Sequence, residues 1–274
     1  MVSTYVVCRD EARLIEACLR SASFSDQIVV VDSGSTDGTL EIVRGLAGEG
    51  LPIELHEREW PGYAKQKQFA LERCIGEWCI NLDADEELAP GFAEALHAIL
   101  PGTTASGFRV MGRFELLGLG MPPIGVASWP LRRITRRGRA RFDTSTLVHE
   151  HLIIDGRVET RRDLVLLHRR AGAVDELVAK EAGYGGLKAR QVRAGGRRGN
   201  GFKLLMNPTY AFLRTYVGRR YFLAGWPGYI AARRLASYVF VTEARLMELG
   251  WERRSRTDAR GTADAAKDGT GAAK

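Results

Sequence analysis

The sequence predicts an α/β fold in which a doubly wound, mostly parallel sheet is followed by a basic helical C-terminal extension. Strand-like and helix-like segments alternate through the first hundred residues, which is typical of parallel sheets covered by helices on both faces. The strand-like segments are short apolar runs that end at turn residues. Between residues 182 and 242 the chain has no acidic residue and reads as helical and basic, which predicts the extension.

The first strand is predicted at STYVVC (3–8), which is β-branched and apolar. QIVVVD (27–32) is a continuous buried run, and PIELHE (52–57) and EWCINLD (77–83) follow as the third and fourth strands. The helices that alternate with these strands are predicted at 11–21, 40–47, 63–75 and 90–100. Helical periodicity predicts the residues that face the core in the first and third helices: Leu14, Ile15, Cys18, Leu19, Phe69, Ala70 and Ile75.

The remaining chain is less regular. Two strand-like segments with basic edges are predicted at 106–118 and 130–142, followed by 145–158. Residues 172–250 are predicted to be helical, with breaks at the glycine- and proline-containing stretches 194–201, 207–208 and 225–228.

These patterns divide the chain into three parts: a sheet domain (1–170), a basic amphipathic helical region (171–251) and a tail (252–274). The tail has almost no large apolar residue and is therefore predicted to be disordered.

The four cysteines, Cys8, Cys18, Cys74 and Cys79, form no CxxC pair and have no histidine cluster beside them, which argues against a zinc site. Most lie in apolar stretches and are predicted to be buried thiols in a reducing compartment. The N-terminus lacks the basic lead-in and long apolar run of a signal peptide. We therefore expect a cytoplasmic protein.

The charge is distributed unevenly along the chain. Residues 1–100 contain 8 Lys/Arg and 18 Asp/Glu, whereas residues 182–242 contain 11 Lys/Arg and no acid. The apolar runs between these cations are too short to span a bilayer, but they are long enough to lie in its interface. Trp and Tyr side chains are enriched at the membrane–water interface, and this region contains Trp226, Tyr216, Tyr221 and Tyr229. An anionic membrane surface is the predicted partner, and a nucleic acid, suggested by the basic composition alone, is the alternative.

The turn after the second strand, VVVDSGSTDGT, places Asp32 at a strand end before a run of small residues. Such a turn can direct backbone N–H groups and a carboxylate into a ligand crevice. A plain strand–turn–helix with Asp37 as its N-cap is the alternative. A dinucleotide fingerprint would need GxGxxG, whereas this stretch offers only Gly34 and Gly38.

A cluster of acids, LDADEE, follows the fourth strand. Asp83 and Asp85, separated by one small residue, can converge on one divalent cation, and carboxylate oxygens suit Mg²⁺ or Mn²⁺. The alternatives are a solvated acidic turn and, more distantly, a phosphatase with an aspartyl nucleophile.

Five segments together resemble the family-2 glycosyltransferases, and most closely the bacterial members that build the lipopolysaccharide core. They are VVCRDEARLIEACLRS, IVVVDSGSTDGT, WPGYAKQKQFAL, GEWCINLDADEEL and LVHEHL, and they occur in the family's order and spacing. The resemblance covers about residues 3–250. It implies a GT-A-like nucleotide-sugar-binding domain over 1–170, a divalent metal (Mg²⁺ or Mn²⁺), and inverting transfer.

The resemblance also implies the site residues. Residues implied to bind the donor are Arg9, Glu11, Asp32, Ser33, Lys65, Lys67, Gln68 and Asp83. Asp83 and Asp85 match the metal-binding DxD, with His149 as a third candidate ligand. The family commonly has Asn where this chain has Asp10 and Gln68. Glu150, in VHE beside His149, is implied to be the catalytic base, with Asp143 as the reserve.

The predicted activity is transfer of a hexose or heptose from a nucleotide-diphosphate donor to a hydroxyl of a lipid-anchored, lipopolysaccharide core-like glycan. The protein would act at the inner face of the cell membrane, with no nucleic acid as partner. Two alternatives are a nucleotide-sugar-binding module without turnover and a basic nucleic-acid-binding α/β protein. The sugar, the acceptor and the oligomeric state are not encoded in these motifs.

Overall fold

The computed structural model describes residues 1–144, 152–169 and 174–268. The chain divides into two compact units, Met1–Ala171 and Gly172–Lys274. The first contains an eight-stranded sheet in the order β3-β2-β1-β4-β7-β6-β10-β5, and a separate β8–β9 pair. The strands are β1 (Val2–Cys8), β2 (Gln27–Asp32), β3 (Ile53–Glu57), β4 (Trp78–Asp83), β5 (Glu86–Leu88), β6 (Gly107–Phe114), β7 (Ser128–Arg136), β8 (Ala140–Phe142), β9 (Leu152–Ile154) and β10 (Val158–His168).

The sheet is mostly parallel. Strands β3, β2, β1 and β4 run parallel to one another, and β6 runs parallel to β10. Strand β7 is antiparallel to both β4 and β6, and β5 is antiparallel to β10. The predicted strands at 3–8, 27–32, 52–57 and 77–83 are all confirmed, with bounds shifted by at most one residue.

Helices cover both faces of the sheet, so the predicted doubly wound arrangement is confirmed. They are α1 (Ile15–Ser21), α2 (Thr39–Gly48), α3 (Tyr63–Glu72) and α4 (Phe92–Ile99). Residues of α1, α2 and α4 pack with Val6, Val30 and Ile80 in one buried cluster. Residues of α3 pack with Tyr5 and Val29 in a second cluster. Consecutive residues of one strand, such as Tyr5 and Val6, therefore point to opposite faces of the sheet.

Strand register places the ends of β1, β2 and β4 side by side. Cys8 is level with Asp32 across β1 and β2, and Val7 is level with Asp83 across β1 and β4. The loops that follow these three strands therefore leave the sheet at one edge, where open α/β folds bind their ligands.

Three predicted details of the first unit are wrong. The first helix begins at Ile15 and not at residue 11, because Asp10 adopts a left-handed backbone (φ +54°) and a turn occupies the next residues. The side chain of Ile75 is exposed (56%), because α3 ends at Glu72 and the residues beyond it lose helical phase. The predicted strand at 130–142 is two strands, since a turn with Gly138 at φ +75° separates β7 from β8.

The second unit is helical. It contains α5 (Val174–Ala194), α6 (Gly201–Leu213), a π-helical turn (Arg214–Gly218), a 3₁₀ turn (Tyr221–Ala224) and α7 (Gly225–Asp268). Both α5 and α6 pack against α7. Among the described residues no helix is both long enough and apolar enough to cross a membrane.

The predicted helix breaks are only partly correct. The chain does leave the helix after Ala194, but residues 207–208 do not break α6, which contains Pro208 in its interior. A side-chain contact supports the helix at this point, since Asn207 Nδ2 donates to Glu243 Oε1 of α7 at 2.7 Å. Residues 225–228 form the first turn of α7, a position in which proline is tolerated.

Residues 252–274 were predicted to be disordered, whereas the backbone continues α7 as far as Asp268. The segment is rich in Ala and Arg, which have high helix propensity.

Candidate active site

The loop after β2 is closed by the carboxylate of Asp32. Its Oδ2 accepts hydrogen bonds from the backbone N–H groups of Gly34 at 2.8 Å and Ser35 at 2.9 Å, and its Oδ1 accepts from the Ser35 hydroxyl. Gly34 (φ +85°) supplies a left-handed backbone conformation in this turn. Asp32 is 1% exposed, and its side chain is held within its own loop.

The loop after β1 is bound to the same turn. Asp10 Oδ1 accepts from the backbone N–H of Thr36 at 2.8 Å, and the Asp10 N–H donates to Ser35 Oγ at 2.9 Å. The N–H of Glu11 donates to Thr39 Oγ1 at 2.9 Å. Glu11 therefore joins the two loops through its backbone.

A cavity of about 630 Å³ opens beside these loops. It is lined by Arg9, Asp32 and Ser33, three of the residues implied to bind the donor, and also by Arg58 and Trp60. This volume is typical of small-molecule sites. Arg58 and Trp60 follow β3 in an irregular segment. No pattern marks Arg58, and Trp60 opens the family-like segment WPGYAKQKQFAL but was not selected as a site residue.

The polar residues of α3 have different environments. Lys65 is exposed, and Gln68 Oε1 accepts from a backbone N–H of β8 at 2.9 Å. Gln66 and Lys67 are both buried. Gln66 Nε2 donates to Ser33 Oγ at 3.1 Å, which connects α3 to the cavity wall. Gln66 lies between Lys65 and Lys67, which were both predicted to bind the donor, but it was not itself predicted as a site residue.

An ion-pair network, called the Asp83 cluster below, consists of Lys67, Asp83, Glu86 and Arg133. Glu86 is fully buried, Lys67 and Arg133 are largely buried, and Asp83 is half-buried. Lys67 Nζ lies 2.6 Å from Asp83 Oδ1, and Arg133 Nη2 lies 2.7 Å from Asp83 Oδ2. Arg133 also contacts Glu86 Oε1, and the Asp83 N–H donates to Glu86 Oε2 at 3.0 Å. Each carboxylate oxygen of Asp83 thus faces a cation.

Burial and charge act in opposite directions on the two acids of the cluster. Burial would raise the pKa of Asp83, but the guanidinium of Arg133 and the ammonium of Lys67 outweigh it and hold that pKa well below its usual range. Burial raises the pKa of Glu86, which is 0% exposed, although Arg133 opposes the shift. Asp83 is therefore a permanently ionised carboxylate at neutral pH.

Asp85, the second acid of the DxD, faces the end of β10. Its Oδ2 lies 3.4 Å from His168 Nε2. The His168 ring lies 5.0 Å from the ring of Phe114, which stacks on Trp129 at 3.9 Å. Within the described ranges no group of three His, Cys, Asp or Glu side chains is arranged to hold a metal ion. Asp85 and His168 supply two donors of suitable chemistry, a carboxylate and an imidazole.

The predicted base Glu150 and its neighbour His149 lie outside the described residues. Asp143, the reserve base, directly follows β8 and is half-buried. The described part of the site therefore contains the cavity, the Asp83 cluster and the Asp85–His168 pair.

Residues 3–152 match the sequence profile of Glycosyl transferase family 2. The chain is 39% identical over 248 residues to the lipopolysaccharide core biosynthesis glycosyltransferase LpsC of Rhizobium meliloti, covering 90% of this chain and 92% of LpsC. It is 26% identical to an uncharacterized glycosyltransferase of Rickettsia prowazekii, with 90% of this chain and 87% of that protein covered.

Among solved structures, the chain resembles the mannosyltransferase PcManGT of Pyrobaculum calidifontis, solved in complex with GDP-Man and Mn²⁺. The TM-score is 0.52 at 19% identity, with 89% of this chain and 86% of that chain covered. This similarity concerns the fold.

Replacing Arg133 tests the electrostatic role of the Asp83 cluster. We expect Arg133→Met to lower the free energy of unfolding by about 1–3 kcal/mol, because the buried Glu86 and one oxygen of Asp83 would lose the guanidinium that they contact. A second change, Glu86→Gln, should recover part of the loss. Urea unfolding measures both changes.

The matched control is Arg141→Met, since Arg141 forms an exposed pair with Asp155 at 3.0 Å. This variant should lower the free energy of unfolding by no more than about 1 kcal/mol. Equal destabilisation by the two arginine variants would contradict the proposed role of the cluster.

Proposed function

The chain belongs to glycosyltransferase family 2. We propose that it transfers one sugar, with inversion, from a nucleotide-diphosphate donor to a hydroxyl of a lipid-anchored glycan. Its fold is GT-A-like. The observation that carries the proposal is the position of the 630 Å³ cavity, which shares one sheet edge with the Asp83 cluster and Asp85.

The nucleotide of the donor would occupy the cavity. Arg9 and Arg58 line it and can contact anionic or planar groups, and Trp60 offers an aromatic ring. Asp32 and Ser33 would contact the nucleoside from the turn that they help to form. Of the α3 residues, Gln66 contacts Ser33 and Lys67 contacts Asp83, so we assign these two a larger role in positioning the site than Lys65 and Gln68.

A divalent cation, Mg²⁺ or Mn²⁺, would be held by Asp85. His168 is the described residue that could complete its ligand set, and His149 is the candidate implied by sequence. Asp83 could join only if Lys67 or Arg133 released one of its oxygens, so we favour for Asp83 a hydrogen bond to the donor. When bound, the cation supplies positive charge against the leaving diphosphate.

The chemistry requires a carboxylate that removes the proton of the acceptor hydroxyl as it attacks the anomeric carbon in line. We propose Glu150 for this role, oriented by His149, with Asp143 as the reserve. Lys67 and Arg133 would keep Asp83 ionised and fixed in direction while the donor binds.

The acceptor is proposed from the similarity to LpsC, whose name assigns it to lipopolysaccharide core biosynthesis. A core-like glycan carried by a membrane lipid would bring the enzyme to the inner face of the cell membrane. We propose transfer of a hexose or a heptose.

The second unit offers a surface for that membrane. All residues of α6 are partly or fully exposed, and its outward stripe repeats every three or four residues. The stripe consists of Phe202, Leu205, Met206, Tyr210 and Leu213. Trp226, in the first turn of α7, is 76% exposed. With 11 cations between residues 182 and 242, this unit has the composition of an interfacial membrane element.

Donor binding tests the metal assignment. We expect Mn²⁺ to tighten the binding of at least one of UDP-glucose, GDP-mannose and an ADP-heptose by at least about tenfold, which corresponds to 1.4 kcal/mol. Asp85→Ala should remove that metal dependence, because it deletes the proposed ligand. Calorimetry with and without Mn²⁺ measures both effects.

Asp155→Ala, which removes an exposed carboxylate from the same domain, serves as the control and should leave the binding constants unchanged. Failure of the wild type to bind any of these three nucleotide sugars, with or without metal, would overturn the proposal.

Replacing the proposed base tests the proton transfer. Glu150→Gln should lower the turnover number by about 10²–10⁴ and leave donor affinity unchanged, because the amide cannot accept the proton. Steady-state transfer assays, paired with donor calorimetry, separate the two effects. Asp143→Asn is the comparison, and a larger loss in that variant would assign the base to Asp143 instead.

Membrane association is tested by sedimentation with phospholipid vesicles. Leu213→Asp should weaken binding to anionic vesicles at least about tenfold, because a charge on the outward stripe of α6 opposes insertion. Ile124→Asp, at a 90% exposed apolar residue of the first unit, is the matched control. Absence of vesicle binding by the wild type at low salt would rule out the membrane proposal.

A further inference from the structure

The sheet face that carries α3 has a row of polar side chains across β7, β6 and β10. Phe108 and Val110 belong to the buried cluster on the opposite face, so Arg109 between them points to the α3 face. Arg109 is level with Arg132 of β7 and with Thr160 of β10. Residues that are level across neighbouring strands share a face, so these three side chains form one row, called the Arg109 row below.

A β-bulge in β7 produces this row. The register of β7 with β6 shifts between Phe108 and Arg109, because β7 has one extra residue, Arg133, at this point. The shift places Arg132 directly opposite Arg109. Arg133 itself contacts Asp83, so the Arg109 row begins beside the Asp83 cluster.

The acids of the described chain do not balance the positive charge of the row. The Cβ atoms of residues directly opposite each other are about 4.5–5.5 Å apart, and like charges at that separation destabilise a sheet. Within residues 1–144, 152–169 and 174–268 neither Arg109 nor Arg132 forms an ion pair with a carboxylate, and Arg132 Nη1 donates to the Leu152 carbonyl at 3.4 Å. Arg132 and Thr160 are exposed and Arg109 is half-buried, so an anion in solvent can reach them.

The position of the row in the sheet separates it from the donor cavity. The cavity is lined by residues that follow β1, β2 and β3, whereas the row lies on β7, β6 and β10, with β4 and its Asp83 between them. Four strand spacings, roughly 19 Å at about 4.8 Å each, separate β2 from β6. The next row on the same face is apolar and partly exposed, and it consists of Pro130, Met111 and Val165.

We propose that the Arg109 row binds a phosphate monoester carried by the acceptor glycan, with the sugar that bears it against the apolar row. A phosphate monoester carries a charge of about −1.5 to −2 near neutral pH, which matches two arginines, whereas a carboxylate matches only one. Its terminal oxygens accept hydrogen bonds from the two guanidinium groups and from the Thr160 hydroxyl. The inference rests on the proposed function and adds the chemical class of the acceptor, a phosphorylated glycan.

The experiment uses the full chain, with glucose 6-phosphate as the probe, and calorimetry at low ionic strength should show its saturable binding. Glucose, which lacks the phosphate, should show no saturable binding at the same concentrations. Glucuronate, which has a carboxylate in place of the phosphate, should bind at least about fivefold more weakly. Inorganic phosphate should also bind at least about fivefold more weakly, because it leaves the apolar row uncovered.

Substitutions in the row locate the binding site of the probe. Arg132→Gln removes an exposed cation of the row and should weaken probe binding at least about tenfold. Arg139→Gln makes the same change in net charge at an exposed residue of the turn after β7, outside the row, and should change binding less than about twofold. The melting temperature of Arg132→Gln should not fall below that of the wild type, because the change relieves the repulsion with Arg109. An arginine with only a structural role would lower it.

Three results would overturn the proposal: no saturable binding of glucose 6-phosphate, equal losses in Arg132→Gln and Arg139→Gln, or glucuronate or inorganic phosphate binding as tightly as the probe. Nucleotide-sugar binding, measured on the same variants, should stay at the wild-type value; an equal loss of it in Arg132→Gln would assign the row to the donor diphosphate and also overturn the proposal. A wild type that binds the probe but no nucleotide sugar would overturn the proposed function and leave the phosphate site. The opposite pattern would remove the phosphate site and leave the function.

Discussion

The arrangement of the site depends on the contact of Asp83 with Lys67 and Arg133. These three side chains come from β4, α3 and β7. Lys67 and Arg133 are largely buried, and a buried charge without a partner costs several kcal/mol. Each group therefore requires the others to be in place. The contact fixes α3 against the sheet on one side and β7 against β4 on the other, so the cavity wall and the acidic turn take their positions from it.

The parallel strands determine where this contact can occur. Because β1, β2 and β4 run in the same direction and in close register, their carboxyl ends deliver Asp32 and Asp83 to one edge. The antiparallel strand β7 brings Arg133 to the same place from the opposite direction. Glu86, the first residue of the short strand β5, contacts Arg133. Strand β5 pairs with β10, and His168, the last residue of β10, lies beside Asp85.

The parts of this arrangement that could be predicted from sequence are those encoded locally. Continuous apolar runs marked the first four strands, and the acids at the strand ends marked Asp32 and Asp83. Arg133 could not be selected, because it is one of six arginines between residues 132 and 141, and only the pairing of β7 decides which one faces inward. Strand β5 was missed for a related reason: Glu86–Leu88 has no strand pattern, and its pairing with β10 joins distant parts of the chain.

The turn closed by Asp32 has a consequence for the kinetics of ligand exchange. Its backbone is held by hydrogen bonds within the protein, which involve Gly34, Ser35 and the neighbouring β1 loop and need no ligand. Ordering one residue costs about 1–2 kcal/mol, and here that cost is met during folding instead of during binding. A preorganised turn presents the same face to every nucleotide, so encounter rates should differ little among them. Discrimination would then reside in how long each nucleotide stays bound.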